Sequence, residues 1–309
     1  MAHLTYLQAI VIGLLQGFTE LFPVSSLGHS ILVPAWIGGD WQRIVTDQAN
    51  RESPYLAFIV GLHVATALAL LVLFWRDWVD IIRGFFTSIA RRSITTTHER
   101  LAWLIVLATI PAGLTGLALE HALRTLFAKP LAAAAFLTLN GLVLLAGERL
   151  RRRAPQHRPV TVAARGEGTQ TLENLEDEAT DTGITQQITP GGALVVGLLQ
   201  TGALFAGISR SGITMVAGLL RGLTHEEALR FSFLLATPII LAAGVYKIPD
   251  LMGPLGDGIR GQALVGAVAA FFAALASAIF LVRWFRTRTL TPFAVYCLVF
   301  GVASIIKFG

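Results

Sequence analysis

Six stretches of this chain are apolar over nearly the length that a bilayer demands: Leu56 to Trp75, Leu101 to Leu119, Leu131 to Leu150, Phe231 to Tyr246, Ala263 to Trp284 and Pro292 to Phe308. A hydrocarbon core about 30 Å thick takes roughly 20 residues of helix, and inside it each segment must satisfy its own backbone hydrogen bonds. The runs therefore predict an all-α, polytopic membrane protein with six transmembrane helices. Composition agrees, because 14% of the 309 residues are charged, against roughly 25% in soluble domains. The basic residues lie between the runs, where they set topology, so the pI near 9.9 does not point to nucleic acid. A single cysteine, Cys297, excludes an intramolecular disulfide. The N-terminus lacks a basic n-region and is expected to stay uncleaved.

Orientation follows from the arginines. Arg76, Arg83, Arg91, Arg92 and Arg100 follow the first run, Arg151, Arg152 and Arg153 the third, and Arg286 and Arg288 the fifth. The positive-inside rule places all three connections in the cytoplasm, with residues 120–130, residues 248–260 and the C-terminus outside. Two further apolar regions, Leu4 to Ile37 and Ala193 to Leu220, are interrupted by Gly, Pro, Ser and charged residues. The orientations agree only if each region enters and leaves on one side, the first from outside and the second from the cytoplasm. That predicts two re-entrant helical hairpins, near 4–37 and 191–221. Residues 151–190 are polar, with Pro155, Pro159 and an acidic patch from Glu173 to Asp181. They read as a cytoplasmic linker, mobile or loosely helical in part and without chemistry, between halves 1–150 and 191–309.

The two interrupted regions repeat one another. "GLLQGFTELFPVSSLGHS" from Gly13 aligns without a gap with "GLLQTGALFAGISRSGIT" from Gly197, an offset of 184 residues. Chance similarity of apolar stretches is argued against by topology, since three spans between the copies invert the second. Inverted repeats with broken helices bring their active groups together near the bilayer midplane, so the two motifs are expected to face each other. The first brings Gln16 and Glu20 on one helical face, then Pro23, Ser25, Ser26, Gly28 and His29; the second brings Ser209, Arg210, Ser211, Gly212 and Thr214.

These residue types suit a phosphate. Helix breaks expose N–H groups at a positive dipole end, and Gly28, Gly212, Ser25, Ser209, Ser211 and Thr214 allow close approach and binding. Arg210 can clamp phosphate oxygens and stabilise transition-state charge. Ser26 is a nucleophile candidate, with His29 as its base or as proton donor to the leaving group; an activated water, with His29 or Glu20 as base, is the other attacker. Glu20, with the Gln16 amide, offers oxygen ligands to a divalent cation. A Glu20–Arg210 ion pair that only holds the hairpins together is the bland alternative. It leaves the hydroxyls, His29 and the Gly-rich breaks unexplained.

With those residues in view, the chain resembles the undecaprenyl-pyrophosphate phosphatases, or bacitracin-resistance proteins. The first motif fits their [Glu/Gln]-x-x-x-Glu and Pro-x-Ser-Ser-x-Gly-His signature, and the second their Pro-Gly-x-Ser-Arg-Ser-Gly-x-Thr. Similarity extends to "HVATALALLVLFWRD" and "ALRFSFLLATPIILAAG" but not to the linker, which is longer than expected. The resemblance implies six spans, two re-entrant hairpins in an inverted-topology repeat, and hydrolysis of undecaprenyl pyrophosphate to undecaprenyl phosphate with Mg²⁺ or Ca²⁺. It carries over onto Gln16, Glu20, Ser26, His29, Ser209, Arg210 and Thr214. It implies a multi-pass protein of the bacterial inner membrane whose site opens to the outer face, a polyprenyl pyrophosphate substrate, membrane lipids as partners and room for a homodimer. Three positions depart from the pattern: Gln16 stands where Glu is also allowed, Ala206 replaces a Pro, and Leu27 replaces Ser or Thr.

Other polar residues have simpler readings. His63 reads as a hydrogen-bonded packing residue or, as the other reading, one that lines the cavity; Glu148 and Lys247 read as snorkelling at span ends, and Glu120, His121 and Arg124 as solvated. Trp36, Trp41, Trp75, Trp78 and Trp284 fit aromatic belts. A function of a different class, a polyprenyl-phosphate flippase or anion transporter, shares the inverted-repeat architecture.

Overall fold

A computed structural model describes residues 4–46, 54–127, 129–152 and 172–309, and among these the regular structure is helical throughout. The helices are α1 (Tyr6–Leu21), α2 (Ser26–Ile37), α3 (Gly39–Thr46), α4 (Pro54–Leu73), α5 (Trp75–Arg91), α6 (Thr97–Phe127) and α7 (Pro130–Arg151). Then come α8 (Leu172–Gln187), α9 (Pro190–Gln200), α10 (Arg210–Leu220), α11 (His225–Met252), α12 (Arg260–Phe285) and α13 (Thr291–Phe308).

Among the described residues, 5 segments are long and apolar enough to cross a bilayer: Thr97–Ala118, Pro130–Arg151, His225–Tyr246, Arg260–Phe285 and Thr291–Phe308. Leu114, Leu117, Leu264, Phe272, Val299 and Ile306 stand exposed on these helices, as lipid-facing side chains do. The protein is a multi-pass membrane protein. The remaining predicted run, Leu56 to Trp75, falls on the 20-residue α4, after which the chain turns through 86° between Ala57–Leu73 and Trp75–Arg91, a bent pair that makes a sixth span if it is counted as one. The reason lies in α5, where Arg76, Asp77, Asp80 and Arg83 are too polar to continue a span. Its apolar stripe of Trp75, Val79, Ile82, Phe86 and Ile89 is exposed, the pattern of a helix lying in the membrane interface.

Helices α1, α2, α9 and α10 are apolar but have only 16, 12, 11 and 11 residues, too few to cross. Helix α1 lies against α12 and α9 against α6. Both contacts use a glycine at the same place in the two motifs: a Cβ on Gly13 would strike the Gly266 carbonyl of α12, and one on Gly197 the Ala108 carbonyl of α6. Small residues permit such backbone approach between helices in lipid. Under these layers sits a core containing Leu70, Leu104, Leu137, Leu144, Phe231 and Phe233, none more than 1% exposed.

Two expectations change. Part of the region read as a loose linker is the helix α8, packed on α6 and α11 with Ile184 fully buried. Its acidic residues have a partner: Arg230 donates Nε to Asp181 Oδ1 and Nη1 to Asp177 Oδ1, each at 2.7 Å, and Nη2 reaches Asp77 of α5 at 2.7 Å. A buried guanidinium needs such pairing, so the patch anchors α8 to the membrane body. Glu148 does not snorkel either; it is buried and accepts from His225 Nε2 at 2.8 Å. The side chains of Glu120, His121, Arg124 and Lys247 lie outside the described residues.

Candidate active site

The two broken helices start at the same point in space. Helix α1 ends because Pro23 forces Phe22 into extended backbone, with φ −66° and ψ 145°. Helix α2 then begins at Ser26 with Ser25 as N-cap, its Oγ accepting from Gly28 N at 3.2 Å. The second motif repeats the device: Ser209 caps α10, its Oγ accepting from Gly212 N at 3.1 Å, so Arg210 is the first helical residue. Ser26 and Arg210 thus occupy corresponding positions at two helix N-termini, where free N–H groups and the helix dipole favour anions.

The breaks are locked together. Ser25 holds φ 71°, a conformation that costs a non-glycine residue about 1–3 kcal/mol and is kept only where the surroundings enforce it. Here its Oγ also accepts from Gly207 N at 3.2 Å, and its carbonyl accepts from His29 N at 3.1 Å. Gly207 has φ 112°, and a Cβ there would lie 2.6 Å from Leu137 N, so this position is glycine for conformation and space alike. A Cβ on Gly28 would come within 2.9 Å of Gly207 Cα. Asn140 of α7, fully buried, donates to Pro23 O at 3.0 Å and accepts from Ser209 N at 3.0 Å, joining one break to the other.

At this junction lies Glu20. Its Oε2 accepts from Gln16 Nε2 at 2.9 Å and from Ser26 Oγ at 2.5 Å, and faces His63 Nε2 at 3.3 Å. Its Oε1 pairs with Arg210 Nη2. A buried carboxylate costs several kcal/mol unless paired, and partners on its own helix and on three others offset that here. The guanidinium is less enclosed, with 18% of the Arg210 side chain exposed against 5% for Glu20. A second Arg210 bond, from Nη1 to Ala236 O, is long at 3.5 Å. The arrangement is a hydroxyl poised on a carboxylate beside a guanidinium with donors to spare, which suits attack on a phosphate.

Of the residues singled out in the sequence, Gln16, Glu20, Ser26 and Arg210 converge directly. His29 does not reach Ser26 by any described bond. Its Nδ1 meets Ser25 O at 2.7 Å and its Nε2 meets Tyr296 OH of α13 at 2.7 Å, so both ring nitrogens are engaged elsewhere. Ser209 and Ser211 hydroxyls are 3.0 Å apart, and Ser211 Oγ donates to Phe22 O at 3.2 Å. Thr214 Oγ1 donates to Ser232 Oγ of α11 at 2.6 Å. These hydroxyls brace the two helix breaks. The sequence offered His63 only as a packing residue or a cavity lining and did not single out Asn140, although a polar side chain inside an apolar span is itself a functional signal. Gln200, the counterpart of Gln16, is buried with no hydrogen-bond partner at either amide atom. Among the described residues no group of 3 or more His, Cys, Asp or Glu side chains is arranged to hold a metal.

Comparison with known proteins places these residues in a wider set. A family model described as bacitracin resistance protein BacA matches residues 9–303. The undecaprenyl-diphosphatase 2 of Frankia alni is 58% identical over 344 aligned residues, covering 100% of this chain and 99% of the relative. The undecaprenyl-diphosphatase of Mycolicibacterium paratuberculosis is 60% identical over 305 residues, with 99% and 98% covered. A more distant relative, the undecaprenyl-diphosphatase 2 of Chromobacterium violaceum, is 41% identical over 307 residues, with 97% and 98% covered.

Proposed function

The chain belongs to the bacitracin resistance BacA family, and on that premise we propose that it is an undecaprenyl-diphosphatase, converting undecaprenyl pyrophosphate to undecaprenyl phosphate and inorganic phosphate. This recycles the lipid carrier of cell-wall synthesis and underlies bacitracin resistance. One observation carries the reading: the Glu20 carboxylate of the first break bonds both Ser26, at 2.5 Å, and Arg210 of the second.

The chemistry follows from that contact. Ser26 Oγ attacks the terminal phosphorus while its proton passes to Glu20 Oε2. The bond to the bridging oxygen breaks, and undecaprenyl phosphate leaves. Arg210 and the N-terminal N–H groups of α2 and α10 hold the charge on the phosphoryl oxygens. Glu20 passes the proton it took to the departing undecaprenyl phosphate and is again a carboxylate. It then deprotonates the water that attacks the Ser26-bound phosphorus, and that second proton goes to Ser26 Oγ as inorganic phosphate leaves. Glu20 rather than His29 serves as base, because His29 is bonded to Ser25 and Tyr296.

The donor set fits a cation carried by the substrate. Mg²⁺ on phosphates takes one or two protein carboxylates and keeps several waters. Glu20 would supply one carboxylate and Gln16 an amide oxygen, and Mg²⁺ or Ca²⁺ held there would neutralise phosphate charge. The architecture is in this reading an inverted-topology repeat of two re-entrant hairpins. The paired use of Gly13 and Gly197, Ser25 and Ser209, and Ser26 and Arg210 supports it. The enzyme sits in the bacterial inner membrane with the site open to the outer face, and the polyprenyl tail stays in the bilayer. Purified protein in detergent is expected to release inorganic phosphate from undecaprenyl pyrophosphate with Mg²⁺ or Ca²⁺ and to stop with chelator. No release with either cation refutes the function; release unaffected by chelator refutes the cation.

A further inference from the structure

His63 stands on α4, a helix packed against α1, α11 and α12 and contributing no other described partner to Glu20. Its Nδ1 lies 2.9 Å from the Ile59 carbonyl one turn earlier. A carbonyl oxygen only accepts, so Nδ1 is the donor there and the ring's rotation is set by its own helix. The other nitrogen, Nε2, is then 3.3 Å from Glu20 Oε2, the oxygen that accepts from Ser26.

The other partners of Glu20 hold it less firmly during turnover. Arg210 occupies Oε1, but it is the group that a phosphate recruits, and its grip on Glu20 weakens when substrate arrives. Gln16 belongs to the same helix as Glu20, four residues earlier, and adds no link to a second helix. Ser26 is the reacting group itself. His63 is left as the contact to a second helix that substrate does not need.

We propose that His63 is a positioning residue that keeps Glu20 Oε2 aligned on the Ser26 hydroxyl while Arg210 engages the phosphate. The proposal rests on the phosphatase reading and on Glu20 as the base for Ser26. It assigns His63 no contact with the lipid, so its loss acts on the chemical step rather than on binding.

The test compares wild type, His63→Leu, His63→Gln and His63→Asn for kcat and KM of phosphate release from undecaprenyl pyrophosphate, with melting temperature in detergent. Leu is expected to lower kcat on the order of 10- to 100-fold, the effect of misplacing a reacting group by about 1 Å, while KM stays within about twofold. Gln, whose amide reaches Glu20 and donates, is expected to recover most of that loss. Asn, one methylene shorter, is not. Wild-type kcat in His63→Leu overturns the proposal, as does a rise in KM alone or a Gln variant no better than Asn. If the Leu variant does not fold, the Gln and Asn pair decides. Absence of turnover in wild type refutes the phosphatase reading itself, whereas normal wild-type turnover with an unaffected His63→Leu refutes only the role of His63.

Discussion

Replacing Asn140 with leucine isolates the tie between the two helix breaks. The side chains are close in volume, so packing is largely kept and the change acts through hydrogen bonds. Asn140 is fully buried, donates to Pro23 O and accepts from Ser209 N, each at 3.0 Å. Leucine leaves Ser209 N unpaired away from water and Pro23 O with only the weak thiol donor of Cys297 at 3.8 Å, at about 1–3 kcal/mol for each lost bond, or about 2–6 kcal/mol together. At roughly 2–4 °C per kcal/mol for a chain of this size, the melting temperature in detergent is expected to fall by roughly 5–20 °C. Activity falls too, because Ser209 caps the helix that begins with Arg210, and displacement of about 1 Å at a reacting centre costs on the order of 100-fold in rate. Asn140→Leu protein is assayed by thermal unfolding and by phosphate release at a temperature where it remains folded. Wild-type melting and turnover together would refute the claim that this amide holds the site.

Other perturbations probe separate parts of the account. Gly207→Ala adds a Cβ 2.6 Å from Leu137 N at a φ of 112°, and is expected to destabilise the fold by about 1–3 kcal/mol or more, read as a lowered melting temperature. Arg230→Met leaves Asp77, Asp177 and Asp181 without their shared cation, so about 3–5 kcal/mol is lost and α8 becomes open to limited proteolysis; unchanged protection would show that the cluster does not anchor α8. Gln16→Glu places a second carboxylate beside Glu20 and is expected to lower the Mg²⁺ or Ca²⁺ concentration for half-maximal activity. An unchanged cation dependence would show that neither side chain meets the metal.

Much of this was legible because membrane constraints are severe. Apolar runs of fixed length located five spans, and the repeat at an offset of 184 residues identified the breaks before any coordinate placed Gly28 against Gly207. The bend before α5 was harder to read, since Trp75 looks like the end of a span and only the polar spacing beyond it shows the turn. Glu20, Ser26 and Arg210 stood out as polar groups with no reason to be in lipid. His63 and Asn140 carried the same signal more weakly, as single polar residues whose partners are 43 and 69 or more positions away in the chain. Linear sequence does not register such pairings. The surroundings of His29 do not follow from spacing: three residues from Ser26, its ring bonds Tyr296 of α13, 267 positions away. The acidic patch looked like solvated linker because Arg230, its counter-ion, belongs to a span.

The central claim is that Arg210 serves the phosphate and does not merely neutralise Glu20. Arg210→Lys separates these roles, since lysine keeps the charge beside Glu20 but loses the planar fork that grips phosphate oxygens in pairs. The decisive measurement is the initial rate of inorganic phosphate release from undecaprenyl pyrophosphate by folded Arg210→Lys protein. The account predicts a fall on the order of 100-fold or more at a near-wild-type melting temperature. A rate within about twofold of wild type would contradict it, leaving Arg210 as a structural counter-ion.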